Sequence, residues 1–152
     1  MAFGPNVAKL ADSGGLAAEG SAPRREGVFY NAGANTIEDG TWLEVDLADT
    51  SFGLGASVRR TLGDDMYNVV GCADEDIAPG SWGRVVISGV KYGALAWDQF
   101  LVVGNGCQIS HQAGRVESSG GATGTDNIVA FTLGVFNTAG AHTVDVYIVN
   151  LD

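Results

Sequence analysis

The stretch ADEDIAPGSWG, Ala73–Gly83, places three acids in succession, Asp74, Glu75 and Asp76. Carboxylates ligate hard cations and serve as acid–base groups, so chemistry is sought here first. A calcium loop takes its oxygens from alternating positions of a curved segment. Adjacent residues of an extended chain point to opposite faces, so three consecutive acids do not converge without a tight turn. Ile77 supplies an apolar anchor, Pro79 and Gly80 turn the chain, and Trp82 starts an alternating run. The stretch reads as a structural turn with solvated acids. An acidic patch facing a partner is the second reading, and a cation site the third.

The other reactive residues assemble no catalytic set. His111 and His142 lack a second ligand at i+2 or i+4 and read as strand or turn histidines rather than a zinc site. Cys72 and Cys107 stand outside any CxxC pattern and read as reduced thiols packed in strands, with no disulfide indicated. The chain has no GxxxxGK[ST] and no GxSxG. GLGASV, from Gly53, is half of a dinucleotide fingerprint without its third glycine or following helix. Small trimeric all-β nucleotide hydrolases have about this length, but neither their catalytic Asp context nor their Gly-rich closing motif is found. The expectation is a protein that is not an enzyme and uses no cofactor or metal.

The elements that would position these residues follow from composition and periodicity. The chain has 152 residues, enough for one domain with a core that needs no disulfides. It is 45% hydrophobic and 17% charged, with 23 Gly and 3 Pro, which suits many short strands joined by glycine turns rather than long helices. The net charge of −10 speaks against a nucleic-acid partner, which needs a clustered positive face. No apolar run approaches the roughly 20 residues that span a bilayer, so no membrane is expected, and the N-terminus has no continuous apolar segment of a signal peptide.

From Gly27 onward the chain reads as about eight strands. GVFYNAG is β-prone. TWLEVDLA alternates Trp42, Glu44 and Asp46 against Leu43, Val45 and Leu47, the pattern of a half-buried strand. MYNVVGCA and WGRVVISGVKYGAL are strands, and FLVVGNGCQISHQAG reads as two strands about a Gly-Asn-Gly turn. RVESSGGATGTDN is a polar loop. IVAFTLGVFN and HTVDVYIVNL are the strongest strand signals, joined by TAGA as a hairpin. The last strand is apolar on both faces and should be central. The fold class is all-β, a small β-barrel or β-tulip sandwich, over residues 28–152.

Residues 1–27 have no sustained period. They carry the apolar anchors Phe3, Val7, Leu10 and Leu16 among Gly, Ser and Ala, with one short helical turn near Val7. They read as an extended N-terminal arm. Four anchors do not return the backbone entropy lost on ordering such a segment. The arm is therefore expected to lie on another chain, with Phe3, Val7 and Leu10 as its grip. Arg24 and Arg25 are candidates to pair with acids of that partner. Trp42 and Trp82 are assigned to the core or a subunit seam, and Trp97 to a seam.

VVGCADEDIAPGSWGRVVISGV resembles the small decoration, or cement, proteins of phage heads. In that group a strand ending VVGVA precedes EDIAxGxWGxVxxxG, then VGDxLxxSxxAGR, then a closing hairpin of the form xIVAxxLxx…xxVxVxI. The match falls on Val69–Ala73, Glu75–Gly83, Val85, Gly89, Val102–Arg115 and the closing hairpin, within a resemblance running from Trp42 to the C-terminus. Asn105 stands where the group has Asp, and Cys72 and Cys107 are unusual for it. The resemblance implies a β-barrel or β-tulip on the outer surface of an icosahedral virion. It further implies a homotrimer that binds the major capsid protein and ties neighbouring subunits against DNA pressure. The alternative is a virion β-module of a fibre, tail or head knob that binds a host receptor or glycan, with Tyr92 and Trp97 as the place to look.

Overall fold

The computed structural model describes residues 24–63, 68–119 and 128–149. Phe3, Val7, Leu10 and Leu16, the expected arm anchors, lie outside the described residues. The fold is all-β and barrel-like, with nine strands among the described residues. These are β1 (Arg24–Asn31), β2 (Trp42–Val45), β3 (Ser57–Arg60), β4 (Val69–Ala73), β5 (Trp82–Trp97), β6 (Gly106–Ile109), β7 (Val116–Ser118), β8 (Ala130–Thr132) and β9 (Ala141–Ile148).

Their order is β1-β3-β2-β4-β5-β7-β6-β8-β9, with extra pairings β1–β5 and β5–β9. The sheet therefore closes into two rings that share β5. At 16 residues β5 is long enough to serve both. Residues 82–89 pair with β1, and residues 89–97 pair with β9. Closure removes most exposed edges, the usual hazard of small β proteins.

Side chains alternate across a strand, and here both faces of the shared wall are filled. Leu43, Ala73 and Val85 point into one core with Ile37, Val58 and Ile77. Their neighbours Trp42, Cys72 and Val86 point into the other, with Phe100, Ile109, Val116, Val144, Val146 and Ile148. β2 is thus not half-buried as its alternation predicts: Trp42, Leu43 and Glu44 are all buried. Glu44 is admitted because Arg59 Nε lies 2.8 Å from its Oε1. β9 is central, paired with both β5 and β8. The reason differs from the expected one, because Tyr147 on its second face is exposed.

Three expected elements change. Of IVAFTLGVFN only Ala130–Thr132 is strand, so residues 133–140, not TAGA alone, connect it to β9. Leu101–Val103 is an exposed turn rather than a strand, tied down by Thr132: Gly104 N–H donates to its carbonyl (2.8 Å) and Asn105 N–H to its hydroxyl (3.0 Å). The polar segment from Arg115 contains β7, whose Val116 is fully buried.

The rings are locked together at Gly40. Its N–H donates to Ala73 O (2.9 Å), and its carbonyl accepts from Leu95 N–H of the second ring (2.8 Å). A Cβ there would lie 2.4 Å from Gly93 O, and its φ of 88° favours glycine.

Candidate partner-binding surface

The three consecutive acids diverge, each to its own partner. Asp74 Oδ2 meets Arg24 Nη2 at 2.9 Å, while its Oδ1 lies 3.5 Å from Lys91 Nζ. Glu75 Oε2 accepts from the backbone N–H of Arg84 (2.8 Å) and from its Nε (3.0 Å). The bond to the Arg84 backbone N–H, and then that to its side chain, hold the Glu75 carboxyl below its ordinary value. Asp76 Oδ1 accepts from Asp39 N–H (2.8 Å). No group of three metal-capable side chains occurs among the described residues. The acids brace the turn between β4 and β5, and Asp74 also faces Lys91, a buried cation that Asp39 (2.8 Å) and the Tyr92 carbonyl (2.7 Å) engage. A buried ammonium needs such partners.

Arg24 and Arg25, assigned by sequence to the arm, lie in β1 of the sheet, opposite Gly89 and Ser88 of β5. Arg24 is engaged within the chain by Asp74 and by Glu26 (2.7 Å). Arg25 is exposed.

His142 and both cysteines are packed into the structure, whereas His111 is exposed. His111 Nδ1 lies 3.0 Å from Glu117 Oε2, and Trp97, half-buried, meets the same ring edge-on. His142 sits between Phe100 and Phe136, its Nδ1 2.9 Å from Gly140 O. Cys72 and Cys107 are free and buried, and burial raises both thiols, Cys107 to about 12. Neither is a nucleophile at neutral pH.

Among the described residues, exposed apolar side chains cluster in two areas of the surface. Val28, Tyr30, Trp82 and Arg84 share the outward face of the β1–β5 ribbon, with Tyr30 opposite Trp82. Phe52 covers that pair, so three rings interlock at centroid distances of 4.6, 5.4 and 5.1 Å. Trp82 is still 48% exposed and Phe52 55%, with Leu54 beside Phe52 in sequence at 77%. Trp82 is therefore a surface residue, whereas Trp42 is fully buried. The second area lies on β8–β9, where Phe131 and Tyr147 pair across the strands. Leu133 and the strapped turn Leu101–Val103 extend it, and all are exposed. Contiguous exposed apolar patches rimmed by polar residues mark interaction surfaces. Sequence reasoning offered a subunit seam for Trp82 as one of two places but missed Phe52 and the β8–β9 area, since alternation shows which residues share a face but not which face is covered. Tyr92, singled out for the receptor alternative, is exposed but outside the ring cluster.

No family model matches the chain, and no curated protein matches it. Among solved structures it is similar to the N-terminal base of head fibre gp8.5 of bacteriophage phi29. The TM-score is 0.57 at 10% identity, over 83% of this chain and 96% of that one. At that identity the likeness is one of fold.

Proposed function

We propose that this chain is a structural protein of a phage virion, held on the outer surface of the head, where it ties neighbouring major capsid subunits together. The observation that carries this reading is the likeness of fold to a phage head fibre base, which spans nearly the whole of that chain. The sequence resemblance to head decoration proteins points the same way. The exposed Trp82–Phe52–Tyr30 cluster and the Phe131–Tyr147 face supply apolar contact area, and aromatic anchors dominate such interfaces. The doubly closed sheet is a stiff block suited to a mechanical role rather than catalysis. Phe3, Val7 and Leu10 are assigned to the grip on a shell subunit or a trimer mate, with Arg25 at the base of the arm. Several weak contacts engaged together give high avidity.

The second reading, a fibre or knob module that binds a receptor or glycan, is favoured by the exposed aromatic cluster, since sugars stack on such rings. Co-sedimentation of the purified protein with capsids assembled without it separates the two. Cement predicts saturable binding at many copies per particle, weakened when residues 1–22 are removed. That cut leaves Arg24 and its pairing in place. Absence of binding at any concentration would sink the capsid reading.

A further inference from the structure

A cleft of about 440 Å3 opens between the loop that follows β1, the strand β3 and the turn that precedes β7. Its volume is in the range of small-ligand sites. Three of the chain's eight cationic side chains line it, Arg59, Arg60 and Arg115, in a protein of net charge −10. Arg59 is already matched by Glu44 at 2.8 Å. Arg115 is half-buried, and among the described residues its Nη1 donates to main-chain carbonyls, Ala96 O at 3.0 Å and His142 O at 3.4 Å. Arg60 has no carboxylate partner among the described residues.

The segments that carry Arg60 and Arg115, neither of which has a carboxylate partner among the described residues, are held together by the fold. Gly114 N–H donates to both the carbonyl and the hydroxyl of Thr61, at 3.0 Å each, pinning the Gly114–Arg115 turn against the end of β3. A Cβ on Gly114 would lie 3.6 Å from Arg60 Cβ. Glu38 is the single acid among the described lining residues. With Arg59 balanced by Glu44, two cations face one acid, an excess of one positive charge. That excess suits a monoanion better than a phosphate dianion. Asn35 and Thr41, with Glu38, supply amide, hydroxyl and carboxylate groups that bond hydroxyls.

We propose that this cleft binds a small hydroxylated monocarboxylate, a ligand of the sugar-acid class. The guanidinium forks of Arg60 and Arg115 take the carboxylate, since a fork presents paired donors to a planar anion. The opposite wall takes the hydroxyls. The inference stands on the cleft alone and does not depend on capsid attachment.

The test is an amide-resolved NMR titration of the full chain with glucuronate, beside glucose, acetate and inorganic phosphate. Expected are saturable shifts confined to the cleft with glucuronate, and binding about tenfold weaker or worse for the three controls. Arg60→Glu, an exposed position, should abolish the glucuronate shifts while leaving the rest of the spectrum in place. Arg60→Gln serves if Arg60→Glu disturbs the fold. No shifts, equal shifts with phosphate or acetate, or binding that survives both variants would overturn the proposal. The capsid sedimentation result would be unaffected by any of these.

Discussion

Replacing Gly40 by Ala tests the joint between the two rings. The residue has φ 88°, a left-handed conformation that costs a non-glycine residue roughly 1–2 kcal/mol. The new methyl would also lie 2.4 Å from the Gly93 carbonyl oxygen, whereas ordinary contact begins at 3.4 Å. One backbone must retreat by the difference of 1.0 Å. The retreat strains the bonds that Gly40 makes to Ala73 and Leu95, at about 1 kcal/mol each. The stiffer unfolded chain gives back about 0.4–1 kcal/mol. The expected loss is about 3 kcal/mol, a large part of the stability of a domain this size. Gly53→Ala is the control: its φ is 99°, but nothing lies within 4 Å of the added Cβ, so it carries the conformational cost alone, about 1 kcal/mol. Urea denaturation followed by tryptophan fluorescence should lower the midpoint by about 1–3 M for Gly40→Ala and by less than 1 M for Gly53→Ala. Equal shifts for the two variants would refute the close approach of the rings.

Cys72 and Cys107 should resist a thiol reagent in the folded protein at neutral pH and react only as it unfolds, since burial raises both thiols. Rapid labelling of either in native buffer, read by mass spectrometry, would contradict their placement in the core. The Glu75 carboxyl is held below its ordinary value of 4.5 by Arg84, so its contribution is present above that value and is lost as pH falls through the lower folded one. Glu75→Gln should therefore flatten the loss of stability between about pH 5 and about pH 3, measured by thermal melts at each pH. An unchanged acid profile would show that the Arg84 contact does not form.

The turn at ADEDIAPGSWG and the strands on either side of it were legible because their signals are local. Pro79 and Gly80 turn the chain, and Trp82, Gly83, Arg84 and Val85 alternate exposed and buried at the start of β5. The two-ring closure was not, because nothing in a 16-residue run says that its halves take different partners. Leu101–Val103 has the composition of a strand, yet one side chain distant in sequence, Thr132, straps it into a turn. β7 is three residues inside a polar run, and only the burial of Val116 marks it. The cleft was invisible for the same reason: Arg60 and Arg115 stand far apart in sequence, and their segments are brought to one cleft by bonds such as those between Thr61 and Gly114.

The central claim is attachment to the outside of a phage head through an apolar face. Cryo-electron microscopy of capsids incubated with the full chain tests it most directly, beside a Trp82→Ala, Phe52→Ala variant and a Phe131→Ala, Tyr147→Ala variant. All four positions are exposed, so neither variant opens a cavity in a core. The account predicts ordered density on the outer surface, repeated over the shell and bridging adjacent subunits, and its loss in one of the variants. A bare shell, or density that neither variant removes, would contradict it.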